Sequence, residues 1–551
     1  MRRLAVAFLM LGALTGGGVP ASGAGPGPGA LGEEPTRGAP PLADDRRRIL
    51  HVLNRLALGP RPGDLERVRA VGVDAWIERQ LHPETIADAA TERALATLAS
   101  LRLSIPEALR DYPRPEPKLR EKLQAGQLTR QEMMELYPPE KRPFRITAEL
   151  QAAKMLRAVE SERQLQEVMV DFWFNHFNVF AAKGDVRWYV AAYERDVIRP
   201  NALGRFPDLV RASARHPAML FYLDNWLSAR PDFTVPAGGP KGGRKAGLNE
   251  NYARELMELH TLGVDGGYTQ ADVTEVARAF TGWSIDRPQT EGRFAFRPRM
   301  HDTGEKVVLG HRIPAGGGQD DGERVLAILT HHPATARFIA TKLVRRFVAD
   351  TPPPPLVERV AATYLSTDGD VRAMLRTIVA APEFVSAEAY RAKVKTPFEF
   401  VASAVRALGA TVDAQGAFDL ARASAEIGEP LYQAQPPTGY PDRAEAWVNS
   451  GALLARMNFA LALARSRYPR VAVDPGSLVT GADPRSPDAV LDRLLAALVA
   501  GQASAETRAV LTGELTNPQI TRLTAEDRGP ASTDVATLAA LVLGSPEFQR
   551  R

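Results

Sequence analysis

Apolar residues recur at helical spacing along most of the chain, and the breaks between the helices are well marked. Ile49, Leu53 and Leu56 share one face of a helix that Gly59-Pro60 stops, and Leu65 and Val68 mark another that ends at Gly72. Prolines at 113, 115, 117, 138, 139 and 143 cut residues 104–145 into short pieces, so this stretch is expected to wrap a core rather than form one. The run Pro352-Pro353-Pro354-Pro355 reads as a stiff spacer between helices. Between 283 and 313 the period changes. Phe294-Ala295-Phe296 and Lys306-Val307-Val308-Leu309 alternate with polar and glycine-rich punctuation, which predicts a small β-hairpin. The expected fold is mainly α, a large multi-helix assembly with a small β-hairpin insertion around 283–313.

A weak internal repeat appears at a spacing of 164 residues. Asp370-Val371, Met374, Ile378 and Pro382-Glu383-Phe384 match Asp534-Val535, Leu538, Val542 and Pro546-Glu547-Phe548. Each copy reads as an Asp-capped helix stopped by proline. The folded part is expected to occupy 44–551, with a division near 390 into a main body and a C-terminal helical half.

Three stretches carry candidate chemistry. On a helical wheel through residues 167–180, Glu167, Asp171, Asn175 and Asn178 form one narrow polar stripe, while Met169, Phe172, Trp173, Phe177 and Phe180 cover most of the rest. Such a helix is mostly buried, and His176 falls inside its apolar sector. The second stretch, Asn249 to Gly263, has Asn249 as a predicted N-cap and Gly263 as a C′ residue. There Asn251, Arg254, Glu255 and Glu258 share a stripe, Tyr252, Leu256 and Leu259 form the packing face, and His260 lies toward it. Glu258 and His260, two residues apart, point different ways and make no metal pair on one helix. If the two stripes met, Asp171, Arg254, Glu255 and Glu258 would form a buried ion network or a reactive carboxylate site, and such carboxylates suit a divalent metal ion or acid–base work. The third stretch, Met300-His301-Asp302-Thr303-Gly304, places His301 and Asp302 on a loop, either as a base and ligands or as an Asp-Thr-Gly turn beside a surface histidine. Candidate catalytic residues are therefore Asp171, His176, Glu255, Glu258, His260, His301 and Asp302.

The chain has 551 residues, 44 % hydrophobic and 24 % charged, with no cysteine, which excludes disulfides, thiolate metal sites and cysteine nucleophiles. Its net charge of +4 comes from 58 Arg and 11 Lys against 65 acidic residues, a balance that gives no nucleic-acid surface. Residues 1–24 read as a signal peptide: Arg2-Arg3, an apolar run over 4–14, and small residues ending at Ser22-Gly23-Ala24. Residues 25–43 read as a flexible Gly/Pro/Ala-rich tether. No later run is long and apolar enough for a transmembrane anchor, so the mature chain is expected in the periplasm or outside the cell. The glycine-rich, basic stretch 231–247, just before the second motif helix, reads as a mobile loop, a lid or an anion-receiving segment. His-Glu-x-x-His, Glu-x-x-His, Gly-x-Ser-x-Gly and phosphate-loop patterns are missing.

Several of these segments, with others, resemble a known family. Leu53-Asn54-Arg55-Leu56-Ala57-Leu58-Gly59-Pro60, Asp171-Phe172-Trp173-Phe174-Asn175-His176-Phe177, the whole stretch 249–263, Phe280-Thr281-Gly282-Trp283, His301-Asp302, Pro333-Ala334-Thr335-Ala336-Arg337-Phe338 and Pro382-Glu383-Phe384 look like the bacterial family catalogued as domain of unknown function 1800. The resemblance runs from about Arg48 to the C-terminus. It implies an exported, mainly helical protein, often encoded beside an exported family with a phosphatase- or sulfatase-like fold, and it supplies no mechanism. Two function classes follow: a cell-envelope or secreted binding and assembly protein with a rigid polar helical core, or a cysteine-independent, metal-assisted or hydrolytic enzyme using paired carboxylates and histidine.

Overall fold

The structure, a computed structural model, describes residues 44–114, 116–235, 245–515 and 533–551. The signal peptide, the tether and the glycine-rich centre of the 231–247 loop lie outside the described residues. Helix α1 (Asp45–Arg55) starts where the Asp44 side chain accepts the Arg46 N–H at 2.9 Å, and it buries Ile49, Leu50, Val52 and Leu53. As the prolines predict, residues 116–142 carry only short, largely exposed helices.

The centre of the molecule is α2 (Phe144–Glu160) and α3 (Gln164–His176). Ala152, Ala153 and Ala158 let other helices approach α2 closely, while α3 presents Phe172, Trp173 and Phe174 and is buried on most sides. The Trp173 indole N–H donates to the Ala202 carbonyl at 3.0 Å, which satisfies the only polar group of that side chain.

The second motif helix, α4 (Glu250–Glu255), continues into a π-helical turn over Leu256–Thr261. Asn249 caps it by accepting the Tyr252 N–H at 3.1 Å, and Gly263 ends it at φ +82°, where an added Cβ would also meet the Phe338 ring. The α-helical wheel fails inside this element. Thr261 Oγ1 donates to Leu256 O, five residues back, and the extra residue in the turn carries Met257, His260 and Thr261 inward while Leu259 is left half-buried.

After α5 (Gln270–Ala279) come two hairpins where one was expected. β1 (Trp283–Asp286) pairs with β2 (Arg293–Phe296), Trp283 opposite Phe296, and β3 (Lys306–Val308) pairs with β4 (His311–Ile313). Leu309 and Gly310, at φ +50° and +79°, make the second turn, and Leu309 is held by donating its N–H to Asp272 at 2.7 Å. Helix α6 (Asp320–Thr330) packs its Gly322 on the Trp283 ring; a Cβ there would come within 2.6 Å of it. Gly322→Ala is therefore expected to destabilise the protein by about 1–3 kcal/mol, as a lowered urea midpoint.

Helices α7 (Pro333–Phe347), α8 (Pro354–Ser366) and α9 (Val371–Val379) pack in sequence order. Beyond them α10 (Pro397–Ala407) and α11 (Ala414–Ile427) cover α2, and α12 (Ser450–Ala464), α13 (Pro487–Val499) and α14 (Val535–Leu543) form a second trio. The two halves of the sequence repeat fall on α9 and α14. Asp370 caps the first by accepting from Ala373 N at 2.8 Å and Asp534 the second by accepting from Thr537 N at 3.1 Å. A short antiparallel pairing of Thr411–Val412 with Val471–Ala472 has no counterpart in the sequence expectation. One continuous apolar core runs from Val52 to Phe548. Among the described residues, no helix is long and apolar enough to cross a membrane.

Candidate functional site

The polar stripe of α3 meets three different partners. At its first turn Glu167 accepts two hydrogen bonds from Arg199, at 2.7 and 3.0 Å, and Arg199 also donates to Glu194 at 3.2 Å. Tyr432 donates its hydroxyl to the same Glu194, and Arg157 lies 3.7 Å away. Burial alone would raise the Glu194 carboxyl, but Arg199 and Arg157 override it and hold it below its ordinary value. One turn on, Asp171 pairs with Lys154 at 2.5 Å, and the Lys154 ammonium lies 5.0 and 5.1 Å from the centres of the Phe398 and Tyr432 rings. Asn175 donates to Tyr440 O at 2.8 Å and accepts from Tyr440 N at 2.7 Å. Asn178, beyond the helix end, donates to Ala434 O and Pro436 O. The end of the stripe, Asn175 and Asn178, thus receives the segment 431–442, more than 250 residues away in sequence, and among the described residues none of the stripe's hydrogen bonds or ion pairs goes to the second motif helix.

That docking leaves a cavity with about 50 Å³ of space for water-sized molecules, between α3, residues 393–399 and the 429–447 segment. Asp171, Asn175, Arg346, Lys393, Glu429 and Tyr440 are among its walls, with Asp442 and Trp447. Glu399 belongs to a capping box with Thr396 and also takes two guanidinium groups, Arg346 at 2.7 Å and Arg551 at 3.0 Å. Lys393 pairs with Asp350 and donates to Asp442 O at 2.7 Å. Glu429 accepts the Phe398 N–H at 2.8 Å, and among the described residues no cation lies within ion-pair distance of it. Burial, and secondarily Asp171, push its carboxyl up to about 7. Glu429 therefore holds its proton more readily than an ordinary carboxyl, beside a carboxylate already engaged by lysine.

The other sequence candidates lie elsewhere. Glu255 and Glu258 sit half-buried on the second motif helix; Tyr268 donates to Glu258 at 3.3 Å, and Arg254 donates to Gln270 rather than to a carboxylate. Burial, then Glu258, raise the Glu255 carboxyl, with Arg254 opposing. His176 and His260 are core residues. The His176 Nε2 faces the His260 carbonyl at 3.1 Å; the His176 ring packs among Trp173, Phe177 and Phe206, and the His260 ring against Phe177. Burial first, then Lys342, hold the pKa of both far down, that of His260 at about 3.

His301 is no surface histidine. Its ring is buried, with Nδ1 2.8 Å from Thr281 O and Nε2 3.1 Å from Asp321 Oδ2, so both nitrogens are engaged within the protein. Lys306, equally buried, donates to Asp321 at 2.8 Å and to the carbonyls of Asp302 and Gly304. The Asp302 turn forms as expected, with Gly304 N donating to its Oδ1 at 2.9 Å, and Arg278 engages both its oxygens at 2.9 and 3.0 Å. Asp171, Glu255 and His301 therefore occupy three separate neighbourhoods. Among the described residues, no three His, Asp or Glu side chains gather in a way suited to a metal ion.

Sequence reasoning passed over Glu429, Lys393, Arg346 and Glu399. For Glu399 a signal was present, the Thr396-x-x-Glu399 capping pattern with Pro397. Glu429, between Gly428 and Pro430, looks like any polar residue after a helix.

Fold and cavity together define a mainly α-helical protein built around a buried network of ion pairs, with a small charged cavity at its edge. The chain belongs to the family described as Protein of unknown function (DUF1800), whose model matches residues 51–550. No curated protein and no solved structure matches it.

Proposed function

We propose that this is an exported binding and assembly protein of the bacterial cell envelope, acting in the periplasm or outside the cell, with the cavity beside Asp171 and Glu429 as its ligand site. The observation that carries this reading is the way α3 fixes the cavity walls. Its amides Asn175 and Asn178 pin the 431–442 segment by its backbone, so walls from distant parts of the chain are preorganised without a ligand. Export rests on the signal-like residues 1–24, and the co-encoded phosphatase- or sulfatase-like protein is the natural partner of an assembly role. A second reading, an enzyme, is favoured by one observation, that Asp171 and the buried Glu429 carboxyl share one cavity wall, where burial and Asp171 raise Glu429.

The test is to tag the chain in its bacterium, fractionate the cells, and examine the purified protein by native mass spectrometry with identification of co-purifying proteins. The expected product begins after Ala24, is found outside the cytoplasm and carries a small molecule that Asn175→Ala loses. An uncleaved cytoplasmic chain with neither ligand nor partner overturns the proposal. Glu429→Gln separates the two readings: binding with no turnover in either form supports the binding protein, and a turnover abolished by the amide supports the enzyme.

A further inference from the structure

We infer that the cavity binds a compact oxyanion, a tetrahedral dianion such as phosphate or a short carboxylate, held by Arg346, Lys393 and Arg551. This rests on the reading that the cavity is the ligand site. Cations outnumber carboxylates around Glu399. Arg346, Lys393 and Arg551 line the end of the cavity around Glu399, and Arg55, Lys395 and Arg456 act on Glu399 from outside that lining; all six are buried. Four carboxylates face them: Asp350, Glu399, Glu429 and Asp442. Glu399 is shared between two guanidinium groups, and Glu429 has no cation in ion-pair range among the described residues.

Hydrogen bonding is short as well as charge. Arg55 and Arg456 are each 0 % exposed, yet each has one acceptor, Ala389 O at 2.5 Å and Lys395 O at 2.7 Å, and the Nε and Nη1 of both have none. Buried guanidinium groups without acceptors are costly. Water would satisfy their N–H groups but not the charge, whereas an anion against Arg346, Lys393 and Arg551 lowers the potential felt by the whole cluster. The space is large enough for one compact anion, and Thr396 and Tyr440 in the same wall are polar. Burial and then the neighbouring cations weaken the hold of the cluster on its protons. Burial brings Arg55 down to about 9, with Arg346 adding to it, and brings Lys395 down to about 7, with Glu399 opposing and Arg391 and Arg456 adding to it.

A bound anion favours the charged form of Lys395 and the neutral form of Glu429, which also faces Asp171, Lys154, Arg456 and Tyr440. Binding should therefore take up protons near pH 7 and tighten as the pH falls from 8 to 6.

The full chain is titrated with sodium phosphate, sodium sulfate and sodium acetate by calorimetry in buffers of different ionisation enthalpy, with sodium chloride at matched ionic strength as reference. At least one oxyanion is expected to bind with proton uptake and to raise the melting temperature beyond the chloride control. Arg551→Gln and Lys393→Gln are each expected to weaken it tenfold or more. Binding of phosphate or sulfate alone assigns the site to a free tetrahedral anion, and binding of acetate assigns it to a carboxylate-bearing ligand. If all three match chloride, or if whichever variants fold bind as the wild type does, the inference is wrong. A ligand found by native mass spectrometry alongside such a result would leave the binding reading standing and remove only the oxyanion.

Discussion

Arg199→Met is expected to cost the protein about 3–5 kcal/mol, seen as a lower urea midpoint at unchanged slope. Among the described residues, Arg199 is the only group that donates to both Glu167 and Glu194, and each of those carboxylates is almost wholly withdrawn from solvent. Methionine fills much of the same volume but leaves Glu167 without its paired donor and Glu194 with Arg157 at 3.7 Å and the Tyr432 hydroxyl. The penalty comes from the carboxylates left behind, not from the net worth of the pairs. Adding Glu167→Gln and Glu194→Gln to Arg199→Met should therefore restore a large part of the loss, because no uncompensated buried charge remains. A single variant within about 1 kcal/mol of wild type would mean that water reaches these carboxylates and that the network is not a rigid core.

The same network shows where sequence reading stops. Capped helix ends were legible because the groups that make them are neighbours: Asn249 with Tyr252, Asp370 with Ala373, Gly263 at its positive φ. The near-complete burial of α3 was legible from its narrow polar stripe. The stripe's partners were not, because a helical wheel gives the direction of Asp171 and Asn175 but not what comes to meet them. Lys154 of α2 meets Asp171, and an irregular, proline-containing segment, 431–442, with no period of its own to mark it, meets Asn175. The meeting with Arg254, Glu255 and Glu258, on which a shared ion network was conditional, does not occur. The π turn adds a local cause, since an extra residue rotates His260 and Thr261 relative to Glu255 in a way no fixed 100° step reproduces. For His301 the missing information was Asp321, twenty residues on and buried with Lys306, which turns an exposed-looking loop histidine into part of the core.

Acid is expected to unfold this protein from well above the carboxylate range, because three core histidines are kept neutral. His51, His176 and His260 are 1–2 % exposed. Burial, aided by Arg55, lowers His51 to about 3; burial, aided by Lys342, lowers His260 to about 3 and His176 well below its ordinary value. Unfolded, each takes its proton near pH 6.5. Between pH 6.5 and about 3 the unfolded chain therefore binds protons that the folded chain refuses, so stability present above pH 6.5 is lost as the pH falls. The slope approaches ~1.4 kcal/mol per pH unit per histidine, or ~6 kcal/mol for the three at pH 5, comparable with the whole stability of many proteins. Glu429 acts in the opposite sense. Its folded pKa of about 7 lies above the ordinary 4.5, so its contribution is complete below pH 4.5 and is lost as the pH rises through 7, which offsets up to ~3 kcal/mol of the acid loss. Two variants separate the terms when urea midpoints are compared at pH 7 and pH 5. His51→Phe, which keeps a ring against Phe384 and Tyr390, should narrow the difference by ~2 kcal/mol. Glu429→Gln should widen it by a similar amount. A wild-type protein equally stable at both pH values, with neither variant moving the difference, would show that water enters the histidine core on acidification and that burial does not control their protons.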